Sequence, residues 1–228
     1  GVFQLESSGM RRYVTELQPR DIRELAAMIA LYRPGPMEHI PRYVEVKHGR
    51  AKPQYPHADL AGVLDETYGV ITYQDQVLEI ARTFAGYSLG QADVMRKAMG
   101  KKIPAVMLAE RESFVQGAIN NGYDQRLAEQ LFDLIEPFAG YAFNKAHAFS
   151  YAVIAYRTAY LKAHYPIQFM AAVLMAAGAH PAGTQERIAA ALSECTRLGI
   201  EVRQPNVNHS LGNFAIEQHA RELIIRFG

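Results

Sequence analysis

A chain of 228 residues, 49% hydrophobic and 21% charged, is long enough to bury a core and to hold one or two domains, which excludes a disordered or low-complexity protein. A formal net charge of +1 gives no compositional case for nucleic acid, so any such case must come from how the charges cluster. The single cysteine, Cys195, excludes an intramolecular disulfide framework and a multi-cysteine zinc site; it fits a reducing cytoplasm and a small buried hydrophobe.

The chain opens Gly1-Val2-Phe3-Gln4 with neither an initiator methionine nor a signal segment, and Glu222 to Gly228 read as a β-strand running into a turn. Both ends are therefore expected to be cuts within a longer polypeptide. Ile22, Leu25, Ala26, Ile29 and Ala30 form the apolar stripe of a helix that must end before Pro34. From Pro36 to about Tyr55-Pro56 the chain is rich in Pro, Lys, Arg and His, which predicts an exposed excursion. Gly69 to Tyr73 reads as a short extended piece leading into a helix with Val77, Leu78, Ile80 and Ala81. Ser88-Leu89-Gly90-Gln91 has capping-box spacing and starts a helix that ends near Gly100. Helices follow over Pro104 to Asn120 and Asp124 to Ile135, with Asn121-Gly122 as the turn and Asp124 as the N-cap. Lys145 to about Tyr165 is apolar on most sides and predicts a buried central helix. Pro166 interrupts it, a second helix runs through Met175, and another spans Thr184 to Leu198 before strand-like alternation begins at Ile200. The most apolar run, Phe169 to Gly178, is shorter than the roughly 18 residues a membrane span requires. This pattern predicts a mainly α fold with a short extended segment near 69–73, divided into a helical domain over 1–198 and the start of a small mixed α/β subdomain over 199–228.

Two segments could carry chemistry. Arg96, Lys97, Lys101 and Lys102 place four cations in seven positions at the end of a short helix. Cations there complement the negative end of the helix dipole. Their density also suits an anion such as a triphosphate or a nucleic-acid backbone, which Arg96 could grip bidentately. The second segment runs from Gly140 to Tyr151. His147 and Tyr151 lie four residues apart on one helical face, with Lys145 beside them. That combination fits either a satisfied core histidine or a phosphate contact next to a stacking surface.

Other chemistries are absent from the pattern. There is no Walker-type phosphate loop, and Gly100-Lys101-Lys102 lies at a helix end rather than a helix start. No Asp-x-Asp pair occurs, and the adjacent Asp65-Glu66 reads as a loop or helix-capping feature rather than as convergent ligands for two metal ions. No catalytic residue is assigned.

Several ordered blocks resemble the bacterial DNA polymerase III alpha-subunit family, the C-family replicative polymerases. They are Gly1 to Ser7 with Gly9-Met10, Leu31 to Met37, Glu66 to Val70 with Tyr73 to Val77, Ala85 to Gly90 with Ala92-Asp93, Arg96 to Lys102, Phe138 to Tyr151, Leu161 to Pro166, and Phe169 to Ala172. The resemblance covers nearly the whole chain and weakens after about Ala177. It implies the fingers region of a DNA-directed DNA polymerase, with the nucleotide-binding part at about 66–165. It also implies a metal-binding palm before Gly1, whose aspartates would hold Mg2+. By the same resemblance, Arg96 and Lys97 contact the triphosphate of the incoming deoxynucleoside triphosphate with help from Lys101 and Lys102, Lys145 lies in the same pocket, and His147 and Tyr151 border sugar and base. Primer-template DNA, a sliding clamp and a proofreading exonuclease are the implied partners, in the cytoplasm and without a membrane, and the isolated segment is expected to be inactive. Lys97 stands where many relatives carry a second Arg, and Ala146 where many carry Ser; Lys keeps the charge but loses the bidentate fork. The alternatives from the residues alone are a non-catalytic helical module that binds nucleic acid or another partner, and a purely structural helical domain.

Overall fold

The computed structural model describes residues 1–228 apart from Lys102, Gly140, Tyr141, Pro181, Arg221 and the side chain of Ala139. Contacts divide the chain into two units, one formed by Ser7–Val153 and the other by Gly1–Glu6 with Ile154–Gly228.

In the first unit α1 spans Ser8–Leu17 and α2 spans Ile22–Leu31. Each begins on a side-chain cap: Ser7 Oγ accepts from the Met10 amide at 3.2 Å, and Asp21 Oδ1 from the Arg23 and Glu24 amides at 2.8 and 3.1 Å. Of the stretch expected to be an exposed excursion, 36–47 is instead a 3-10 turn, Pro36–His39, running into α3, Ile40–Lys47, which buries Ile40, Tyr43, Val44 and Val46, while 48–56 is irregular and largely exposed. Pro36 and Pro41 sit at helix starts, where no amide donor is missed. Lys47 points inward: its Nζ donates to the carbonyls of Leu17 and Gln18 at 2.6 and 2.5 Å and lies 3.6 Å from Glu24 Oε2. A cation at the C-terminal end of α1 satisfies carbonyls that the helix itself leaves free. Glu24 also accepts from Tyr68 Oη at 2.7 Å, so this buried pair is hydrogen-bonded on both sides.

Next come α4, Ala61–Leu64, a 3-10 turn at Asp65–Thr67, and α5, Gln74–Ala85. The amide of Gln76 joins all three pieces. Its Oε1 accepts from the Thr72 and Tyr73 amides at 2.8 and 2.9 Å, and its Nε2 donates to Val63 O and Thr67 Oγ1 at 3.2 and 2.7 Å. Gly86, at φ 69°, ends α5 in the left-handed region and turns the chain into α6, Leu89–Lys101. The capping box is present, with Ser88 N donating to Gln91 Oε1 at 2.9 Å and Gln91 N to Ser88 Oγ at 3.3 Å.

Helices α7, Pro104–Asn120, and α8, Gln125–Ala139, complete the layer around Val77, Ile80, Phe84, Met95, Phe114 and Phe132. Asp124 caps α8 as expected, its Oδ1 accepting from the Leu127 amide at 3.0 Å. At Gly117 a Cβ would stand 2.4 Å from the Ala85 carbonyl oxygen, so α7 passes the end of α5 only because no side chain is present.

The next helix, α9, spans Lys145–His164, and the division between units falls within it. It is not the buried central helix that its composition predicts. Ala148, Ala152 and Ala155 are buried, whereas Tyr156 is 56% exposed and Tyr160 45%. Small residues form the packed stripe and the large rings point outward; an all-round apolar composition does not fix which side packs.

In the second unit α10, Pro166–Gly178, and α11, Thr184–Arg197, pack together. Strands β1, Val202–Arg203, β2, Ala215–His219, and β3, Glu222–Arg226, form a sheet in the order β1-β3-β2. β3 is parallel to β1 and antiparallel to β2, so the last segment is the central strand. Met170, Leu174, Ala191, Cys195, Phe214 and Ile225 share one core, which joins the strands after Leu198 to α10 and α11. Burial pushes the Cys195 thiol pKa up, in keeping with a packed small hydrophobe. Among the described residues no helix is long and apolar enough to cross a membrane.

Two predictions follow from these contacts. Gln76→Ala strands two buried amides, and chemical denaturation should show a loss of about 2–4 kcal/mol in the first unit. In the second unit, hydrogen bonds from Arg197 and Lys162 hold the Glu194 carboxyl down at about 2, below the ordinary 4.5 of a glutamate. A depressed carboxylate pKa stabilises above the unfolded value, and that stability is lost as pH falls toward the folded one. Stability should therefore decline from about pH 4.5 toward pH 2, and Glu194→Gln should flatten that part of a pH-dependent unfolding profile.

Candidate functional site

The site starts from a short backbone pairing. The Phe143 amide donates to Thr72 O at 2.9 Å and Phe143 O accepts from the Gln74 amide at 2.9 Å, a parallel bridge centred on Tyr73 and Phe143. It sets the residues just before α9 beside those just before α5. Asn144 then caps α9, its Oδ1 accepting from the His147 amide at 2.8 Å.

Lys145, the first residue of α9, sends its ammonium 2.5 Å from Glu66 Oε1. The same nitrogen lies 5.7 Å from the centre of the Tyr73 ring and 6.0 Å from that of Phe149. His147 and Tyr151 do share a face: their rings are 4.1 Å apart, and Phe143 extends the row at 5.5 Å from His147. Asn144 and His147 are exposed, and Lys145 and Tyr151 are half-buried. Arg33 closes this group, with its guanidinium 4.5 Å from the centre of the Phe143 ring and its Nε donating to Ala30 O at 2.9 Å. Burial lowers the Arg33 pKa from its usual value.

Arg96 and Lys97 gather elsewhere on the first unit, along α6. Arg96 Nε and Nη2 lie 3.2 and 2.8 Å from Asp93 Oδ1, and Lys97 Nζ is 2.6 Å from Asp93 Oδ2. The Lys97 ammonium and the Arg96 guanidinium hold the Asp93 carboxyl below its ordinary pKa. Part of the charge crowding that called for an external anion is thus relieved within the helix. Lys101 is exposed at the last residue of α6, and Lys102 lies outside the described residues.

The structure pairs His147 with Tyr151 on one face of α9, sets the Lys145 ammonium apart from them against Glu66, Tyr73 and Phe149, and gathers Arg96 and Lys97 around a shared acid. Asp93 was readable, since it precedes the two cations by three and four residues. Glu66 and Arg33 were not assigned, because nothing in the spacing links them to a segment so much later in the chain. In chemical terms, the start of α9 offers a row of rings, Phe143, His147 and Tyr151, and a separate ammonium held at Glu66, while α6 offers two cations on one helical turn.

A family model described as "Bacterial DNA polymerase III alpha subunit finger domain" matches residues 1–122. The chain is 48% identical over 221 residues to the DNA polymerase III subunit alpha of Thermus aquaticus, covering 95% of this chain and 18% of that protein. It is 45% identical over 217 residues to the Bacillus subtilis subunit, covering 95% and 19%, and 44% identical over 222 residues to that of Escherichia coli K12, covering 94% and 19%. The chain thus spans less than a fifth of the length of these relatives.

Asn144→Ala should remove the cap that orders the first turn of α9, costing about 1 kcal/mol of stability in chemical denaturation. Asn144→Asp should retain most of it, because a carboxylate accepts the same amide.

Proposed function

This chain belongs to the bacterial DNA polymerase III alpha-subunit finger family, and on that footing we propose that it binds and positions an incoming deoxynucleoside triphosphate against primer-template DNA within a DNA-directed DNA polymerase. The observation that carries the reading is the start of α9, where the His147 and Tyr151 rings pair on one face and the Lys145 ammonium lies against Glu66. A cation and a partly exposed pair of rings within two turns of one helix suit a ligand that is a polyphosphate at one end and a stacking base at the other.

In this reading Arg96 and Lys97, with Lys101 and Lys102, take the triphosphate, while Lys145 neutralises charge beside the sugar and base that His147 and Tyr151 border. The primer 3′-hydroxyl attacks the α-phosphorus in line, a P–O bond forms to the primer, and pyrophosphate leaves with the bond it releases. Cations on the β- and γ-phosphates stabilise the charge that develops on that leaving group. Among the described residues, no group of three His, Cys, Asp or Glu side chains could hold a metal ion. In this reading the Mg2+ ions implied by the family take their ligands from the palm of the whole subunit, and this segment alone does not extend a primer. Primer-template DNA, the sliding clamp and the proofreading exonuclease are the partners of the whole subunit, in the bacterial cytoplasm.

In the full-length subunit, Arg96→Ala should raise the nucleotide KM or lower kcat, with an effect on kcat/KM of about tenfold to a hundredfold. Steady-state primer extension and a separate primer-template binding measurement distinguish the outcomes. Loss of DNA affinity with an unchanged nucleotide KM would instead mark a nucleic-acid-binding module.

A further inference from the structure

We infer that Glu66 is a positioning residue for nucleotide binding, holding the Lys145 ammonium in place before any ligand arrives; the inference rests on the assignment of Lys145 to the nucleotide site. The pair spans 79 residues of sequence, so helical adjacency does not produce it as it does for Asp93 and Arg96. The ammonium is bracketed: carboxylate oxygen at 2.5 Å, the Tyr73 ring at 5.7 Å and the Phe149 ring at 6.0 Å. A free lysine side chain has rotatable bonds along its whole stem, and ordering it on binding costs affinity.

The carboxylate is itself fixed. Glu66 lies in the 3-10 turn Asp65–Thr67, and Gln76 holds that turn through Thr67 Oγ1 at 2.7 Å. The same Gln76 amide accepts from Thr72 and Tyr73, the residues paired with Phe143 at the entry to α9. One buried side chain thus fixes both the acid and the backbone that delivers the lysine. The side chains of Lys145 and Glu66 are 34% and 31% exposed, which leaves the pair open to solvent. A pair of that exposure adds little to stability, which argues against a purely structural role. An ammonium carries three donors, so Lys145 can keep Glu66 and receive a phosphate oxygen as well.

The test is a double-mutant cycle in the full-length subunit, read by primer extension with each deoxynucleoside triphosphate. Glu66→Ala should raise the nucleotide KM about threefold to tenfold, with kcat and primer-template affinity nearly unchanged. Lys145→Ala should raise it at least as much, and adding Glu66→Ala to that variant should change nothing further, because the acid acts through the lysine. Glu66→Gln keeps the shape and one acceptor and should shift KM in the same direction by less, which guards against a misfolded alanine variant. A KM that is unchanged or lowered in both Glu66 variants, with Lys145→Ala still impaired, overturns the inference alone. Additive effects also overturn it. An unchanged KM in Lys145→Ala removes the assignment of the lysine, and the inference with it.

Discussion

The candidate site depends on the burial of one carboxamide. Gln76 is 3% exposed, and its oxygen and nitrogen are fully engaged by four partners drawn from three separate pieces of chain. A buried amide is costly unless satisfied, and a satisfied one tolerates little displacement of the groups that satisfy it. The extended residues 72 and 73 are consequently fixed, and the Thr72 carbonyl and Gln74 amide on either side of Tyr73 are the backbone partners that set Phe143 at the entry to α9. The ring row, the lysine and the helix cap all follow from that pairing.

The electrostatics has a matching economy. Three of the cations singled out from the sequence carry a paired acid: Arg96 and Lys97 share Asp93, and Lys145 has Glu66. This is how a chain with a formal net charge of +1 can carry concentrated positive charge without strong self-repulsion. The two arrangements differ in origin. Asp93 is a neighbour on its own helix, whereas Glu66 reaches its partner only through the tertiary fold.

What could be read from the sequence follows the same divide. Ser88 with Gln91, Asp124 and Pro104 marked helix starts because capping and proline geometry are local, and the helices begin where those residues place them. The shared face of His147 and Tyr151 was legible from helical spacing alone. Local composition misled where tertiary contacts decide. The first half of the Pro- and Lys-rich stretch packs as α3, with Lys47 bonded to carbonyls and a buried carboxylate, and α9 packs through alanines rather than through Tyr156 and Tyr160. Glu66 and Arg33 left no periodic signal, since their partners are joined to them only by the folded backbone.

The close passage at Gly117 has a consequence for how this scaffold can vary. Where α7 meets the Ala85 carbonyl, the separation is set by main chain against main chain, with no side chain between them. Exchanging a neighbouring core residue for a larger or smaller one can alter the filling on either side, but it cannot retune that spacing. The crossing of α5 and α7 is therefore a fixed fulcrum, and sequence drift in the surrounding core must accommodate itself to it.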